Sequence, residues 1–158
     1  MSDQTEGETR TETPEPETRT PGTPLRRPVA RLVAEAEAVV ETVPVSVAAA
    51  LLDDPGVLFV DIRDPRELER EGMIPGAHSA PRGMLEFWVD PQSPYYKPVL
   101  DDGRRLVLYC GGAWRSALAA QALGDMGRDD VAHLEGGFTA WKQAGMPIAP
   151  YVPRARAR

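Results

Sequence analysis

The sequence predicts an α/β fold, a parallel sheet covered by helices on both faces. Three observations predict it. Short, largely apolar runs at 57–62 (VLFVDI), 106–109 (LVLY) and 131–134 (VAHL) have the length and composition of strands buried on both faces. Each run is followed by a segment with helical periodicity. Turn signals such as Asp53-Asp54-Pro55-Gly56 and Gly136-Gly137 separate the elements. Repeated strand–helix units pair their strands in parallel through helical crossovers.

The elements follow in chain order. Residues 28–41 put Leu32, Val33, Ala36, Val39 and Val40 on one face of an amphipathic helix, expected on the outside of the domain. A short strand is expected at 43–45, with Ser46 capping a helix that carries Val47, Ala50, Leu51 and Leu52. After the 57–62 strand, Asp64-Pro65-Arg66-Glu67 combines an N-cap, a proline at the first helical position and a glutamate three residues after the cap. Gly72 ends that helix. Residues 77–81 make one more short strand, 84–89 a helical turn, and 90–103 a loop rich in Pro, Asp and Tyr. The 106–109 strand delivers Cys110 at its end. A helix at 116–126 carries Ala117, Leu118, Ala120, Ala122 and Leu123, and a last helix holds Phe138 and Trp141 at core spacing.

Composition sets limits. The chain has 158 residues, with 18 basic against 24 acidic side chains for a net charge of −6. That balance argues against a general nucleic-acid binder, which needs a basic face for phosphates. No apolar run is long enough to span a membrane, and the opening MSDQTEGETR lacks the basic and apolar halves of a signal peptide. The expected compartment is the cytoplasm. One cysteine excludes an intrachain disulfide and a cysteine-rich zinc site.

Charge and proline usage divide the chain. Residues 1–27 form an acidic Thr/Pro/Glu-rich tail with almost nothing to bury, expected to be disordered. Residues 28–42 are the N-terminal helix, 43–148 the folded domain, and 149–158 a basic Pro/Arg tail ending in Arg154, Arg156 and Arg158.

The chemistry concentrates in LVLYCGGAWRSALAA, which reads as strand, tight loop and helix. Ligands of parallel sheets bind outside the carboxyl ends of the strands, where Cys110 falls. Gly111 and Gly112 are expected to let the backbone curl so that amides point inward, a nest for an anion at a helix N-terminus. Those amides and Arg115 would favour the thiolate of Cys110. Such a thiolate suits attack on a thiosulfonate, a phosphate or an arsenate. The alternative makes Cys110 a small apolar strand end with Arg115 in solvent, which leaves the paired glycines unexplained. Four residues separate Cys110 from Arg115. A phosphate-transfer loop of the Cys-x₅-Arg kind is one residue longer, so the tighter loop leans toward a persulfide sulfur. A phosphatase or arsenate reductase stays open on spacing alone.

The same loop resembles the active-site loop of the rhodanese-like (sulfurtransferase) domain family. Asp61-Ile62-Arg63-Asp64-Pro65-Arg66-Glu67 with Gly72-Met73-Ile74-Pro75-Gly76-Ala77 resembles the family's first signature, and Leu134-Glu135-Gly136-Gly137 through Trp141 to Pro147 its C-terminal one. Three motifs in order, over about residues 43–148, make the resemblance specific. It implies a three-layer fold with a central parallel five-stranded sheet. It also implies sulfur transfer through a Cys110 persulfide, from a small anionic donor such as thiosulfate to cyanide, a thiol or a protein acceptor. Cys110 would be catalytic, and Gly111, Gly112, Ala113, Trp114, Arg115 and Ser116 would bind substrate. Asp61 and Arg63 would support the loop after their strand. No metal or organic cofactor, nucleic acid or membrane is implied. A non-catalytic docking module is the remaining alternative. Met73 replaces the family's usual histidine. The stretch 82–97 is long enough for a wall or lid through Phe87, Trp88 and Tyr95, and Trp114 is bulky enough to narrow the pocket. His78 and His133 read as structural, His133 as a packed or edge residue.

Overall fold

The apolar runs become strands because both of their faces are covered. In the computed structural model, which describes residues 13–16 and 18–153, five strands form one sheet: β1 (Glu41–Val43), β2 (Val57–Asp61), β3 (His78–Ser79), β4 (Arg105–Tyr109) and β5 (Val131–Leu134). Their order is β1-β5-β4-β2-β3, and every neighbouring pair is parallel. The strand that carries Cys110 is therefore central.

Alternation along the strands splits the apolar residues between two cores. Leu58, Val60, Leu106 and Leu108 face Leu85, Leu100, Ala119 and Leu123 on one side. Phe59, Val107 and Tyr109 face Ala48, Phe138 and Trp141 on the other. The first core is closed by α4 (Leu85–Val89) and α5 (Trp114–Asp125), the second by α2 (Val45–Leu51) and α6 (Gly137–Gln143). The result is the three-layer α/β fold that the sequence predicts. The first helix, α1 (Val29–Glu37), lies on the outer side of α5, where Val33 and Ala36 pack against Ala117 and Leu118.

The helix α3 (Pro65–Glu71) starts as its sequence demands. Asp64 accepts the Arg66 amide, and Glu67 accepts the Asp64 amide, closing a capping box. Gly72 ends it at φ 78°, and a Cβ there would lie 2.7 Å from the Ala149 carbonyl oxygen. Ala149 in turn pairs with Met73 through two backbone hydrogen bonds of 2.8 and 2.9 Å.

Three local expectations differ from the structure. The first helix stops at Glu37 rather than 41, and Val39 is 72% exposed. The strand after it occupies Glu41–Val43 rather than 43–45. Pro44 explains the shift: it has no amide to extend the ladder, and its fixed φ starts α2 directly. Ser46 consequently sits inside α2 and makes no cap. Residues 13–16 and 18–27 are exposed and carry no helix or strand. The rest of the acidic tail, residues 1–12 and 17, and Arg154, Arg156 and Arg158 lie outside the described residues.

Candidate active site

Cys110 ends the central strand and is 1% exposed. The chain then makes a short loop and enters α5 at Trp114. The Ala113 amide donates to Cys110 Sγ at 3.2 Å, and Ser116 Oγ lies 3.7 Å from the same sulfur. The α5 axis thus begins beside the thiol, where the helix dipole favours negative charge.

The curl of this loop comes from an unexpected residue. Neither Gly111 nor Gly112 has a left-handed φ; Ala113 does, at 79°. A non-glycine residue in this region costs about 1–2 kcal/mol. The distortion aims the Ala113 amide back at the sulfur. Gly112 is exposed, and a Cβ there would meet nothing within 4 Å.

The glycine that the loop does need is Gly137. It has φ 63°, and a Cβ would come within 2.6 Å of both the Cys110 and Gly111 carbonyl oxygens. Those carbonyls accept the Phe138 amide at 2.8 Å and the Thr139 amide at 3.1 Å. The first turn of α6 therefore clamps the backbone of the cysteine loop. Gly137→Ala is expected to lower stability by about 2 kcal/mol or more, whereas Gly112→Ala stays within about 0.5 kcal/mol of the parent. Urea unfolding of the two variants checks this, and equal midpoints would remove the clamp.

Ser116 is fully buried. Its hydroxyl donates to the Ala113 carbonyl at 3.2 Å and lies 3.0 Å from His133 Nδ1, while His133 Nε2 is 3.1 Å from Thr42 Oγ1. A chain of polar groups thus runs from the exposed Thr42 on β1 through the buried His133 and Ser116 to the sulfur. Burial pushes the His133 imidazole below its ordinary value against the opposing pull of Glu37 and Glu135, which disfavours its charged form. His133 lies on an interior strand, not an edge. Its sequence signal was a polar residue breaking an otherwise apolar run.

Arg115 and Trp114 open to solvent, with exposures of 44% for the arginine side chain and 52% for the tryptophan. The Arg115 guanidinium is paired end-on with Glu67: Nη1 donates to Oε2 at 2.9 Å and Nη2 to Oε1 at 3.0 Å. This contact holds the Arg115 guanidinium above its ordinary value, opposed by partial burial and aided by the Cys110 charge. The same contact holds the Glu67 carboxyl below its usual range. In the sequence Glu67 reads only as a helix cap; it lies 48 positions before Arg115, and only the fold joins them.

Asp61 and Arg63 form a fully buried pair at the end of β2. Arg63 Nη2 donates to Asp61 Oδ2 at 2.7 Å and to the Gly72 carbonyl at 2.7 Å, and Nη1 donates to Glu71 at 3.2 Å. The guanidinium lies 4.2 Å from the Phe138 ring centroid. These bonds tie β2 to the end of α3 and to the helix that clamps the loop.

The stretch at 82–97 packs onto the first core through Leu85, Trp88 and Val89. Phe87 and Tyr95 meet edge to face with ring centroids 6.3 Å apart, and Lys97 Nζ sits 3.9 Å over Trp88. Trp88 and Lys97 line a cavity of about 420 Å³ with Met73, His78, Ser79 and Tyr151, and no residue of the cysteine loop lines it.

The arrangement is a thiol on the floor of a strained loop, an amide aimed at its sulfur and an arginine at its rim. Residues 45–144, well over half of the chain, match the family model for the rhodanese-like domain. The chain belongs to the rhodanese-like domain family. This rhodanese-like chain is 35% identical to a sulfurtransferase of Allochromatium vinosum over 65% of its own length and 88% of the relative's. It is 30% identical to the thiosulfate sulfurtransferase GlpE of Vibrio cholerae, over 67% and 92% respectively. A match to an uncharacterized Synechocystis protein at 41% identity covers 58% of the chain and only 46% of that longer relative. Among solved structures, a Rhodopseudomonas palustris protein of unknown function, described as a possible tyrosine phosphatase, is 50% identical with a TM-score of 0.77. It covers 80% of this chain and 98% of that one. A thiosulfate sulfurtransferase of Pseudomonas aeruginosa aligns at 28% identity and TM-score 0.61, over 78% of this chain and 22% of that one. At family level the rhodanese-like domain is a sulfurtransferase domain, and among its described residues no helix is long and apolar enough to cross a membrane.

Proposed function

We propose that this chain moves a sulfane sulfur from a donor such as thiosulfate to a thiophilic acceptor, cyanide or a thiol, through a persulfide on Cys110. The observation that carries the reading is the amide of Ala113 on Cys110 Sγ in a loop that ends at Arg115. The Cys110 thiolate attacks the outer sulfur of thiosulfate. The S–S bond of the donor breaks, and sulfite leaves with the bonding pair. The sulfur stays on Cys110 as a persulfide. The acceptor nucleophile then attacks that outer sulfur, and the cysteine thiolate departs with its electrons. The chain's one cysteine leaves no internal thiol to resolve the persulfide, so the acceptor is a second molecule, a small thiol or a protein.

The substrate-binding group is Gly111, Gly112, Ala113, Trp114, Arg115 and Ser116, with Asp61 and Arg63 in support. The reaction needs neither metal nor organic cofactor, and it suits the reducing cytoplasm, where acceptor thiols are plentiful.

A phosphatase reading draws on the Rhodopseudomonas palustris relative. Against it stands the Cys110–Arg115 spacing, one residue short of a loop that wraps a phosphoryl group. The burial of Cys110 favours a docking module instead. One comparison separates the three. Thiocyanate formed from thiosulfate and cyanide supports sulfur transfer. Hydrolysis of an aryl phosphate without thiocyanate supports the phosphatase, and inertness to both and to iodoacetamide supports the module.

A further inference from the structure

Arg115 is the cation at the rim of the loop, and an internal carboxylate already occupies it. Glu67 takes one N–H from each terminal nitrogen of the guanidinium, at 2.9 and 3.0 Å. Three further N–H groups remain on the guanidinium, counting the one on Nε, and Arg115 also interacts with Cys110. What the pairing removes is net positive charge. Asp64 adds to this, because Arg115 is among the charges that hold the Asp64 carboxyl below its usual range. Arg66, the next basic group along α3, is itself bound to Asp64 at 3.1 Å. A donor approaching Cys110 thus meets a rim arginine whose charge is already balanced by a carboxylate.

We propose that Glu67 is a specificity-determining residue that discriminates sulfur donors by charge, favouring monoanionic donors over dianionic ones. This rests on the sulfur-transfer reading of the same site. Thiosulfate carries two negative charges and must share Arg115 with Glu67 or displace it. A monoanionic thiosulfonate such as methanethiosulfonate presents the same outer sulfur and sulfonyl oxygens with one charge fewer. It suffers less repulsion from Glu67.

The fold permits a clean test. Glu67 also closes the capping box by accepting the Asp64 amide at 3.0 Å. Glutamine can keep the cap with its carbonyl oxygen, so Glu67→Gln removes the charge together with one of the two acceptors that face Arg115. The pair is partly exposed, with side-chain exposures of 44% and 23%, so its loss is worth about a 2- to 5-fold change in affinity.

In steady-state turnover at constant ionic strength, Glu67→Gln is expected to lower KM for thiosulfate by about 2- to 5-fold. KM for methanethiosulfonate should change by less, so the ratio of the two moves. A ratio equal to that of the parent overturns the proposal, as does a rise in KM for both donors, which would make Glu67 a positioning residue for Arg115. A second measurement does not depend on turnover. Thiosulfate binding to Cys110→Ser, with and without Glu67→Gln, is read by calorimetry. Tighter binding in the double variant supports the charge filter, and equal or weaker binding refutes it. If the parent protein transfers no sulfur, the sulfur-transfer reading fails, and the binding result still decides the role of Glu67.

Discussion

Replacing Cys110 with serine is expected to abolish sulfur transfer, by at least about a thousandfold, and to leave the domain folded. The two halves of this result have different causes. Sulfur transfer needs a polarisable nucleophile that forms an S–S bond and later leaves from it; an alcohol does neither at neutral pH. Folding needs only a small acceptor at the end of β4. The Ala113 amide at 3.2 Å and the Ser116 hydroxyl beside the sulfur offer a serine oxygen hydrogen-bond partners in place. Thiocyanate formation measures the first half, and urea unfolding the second. A folded Cys110→Ser protein with parental activity would show that the thiol is not the nucleophile.

Arg63→Ala is expected to cost about 3–5 kcal/mol of stability. The side chain has no exposed surface and lies among Asp61, Glu71, the Gly72 carbonyl and the Phe138 ring. Burial alone would lower its guanidinium; the Asp61 carboxylate, helped by Tyr109 and Glu71, outweighs that and holds it above its ordinary value. Truncation strands the Asp61 charge in a buried site without its cation. The double replacement Asp61→Leu with Arg63→Met removes both charges, so it should recover most of the loss. Urea unfolding of the single and double variants decides. A loss below about 1 kcal/mol for Arg63→Ala would mean that the pair is not the brace described here.

The fold was legible because its strands advertise themselves. The runs at 57–62 and 106–109 are apolar on both faces, and burial on both faces is what a parallel sheet does to a strand. The Asp64-Pro65-Arg66-Glu67 start of α3 was equally plain, since its capping box is built from residues within one turn. The shortest elements were not. Where β1 ends depends on Pro44 and on pairing with β5, a contact of high sequence separation. In the candidate site, Cys110, Arg115 and Ser116 lie in one segment, so their nearness follows from the chain itself. The Glu67 contact to Arg115, the Gly137 clamp and the His133–Ser116 bond each join distant segments, and no local pattern announces them. The left-handed residue of the cysteine loop is hidden in the sequence for another reason. Propensity places it at a glycine, whereas the closure between β4 and α5 imposes it on Ala113.

The central claim is that Cys110 carries sulfur, and intact-protein mass spectrometry after incubation with thiosulfate tests it without a choice of acceptor. The expected result is a mass gain of one sulfur atom. It should map to the peptide that contains Cys110, be absent from Cys110→Ser and be discharged as thiocyanate when cyanide is added. An unchanged mass in folded protein, with no thiocyanate released, would contradict the account.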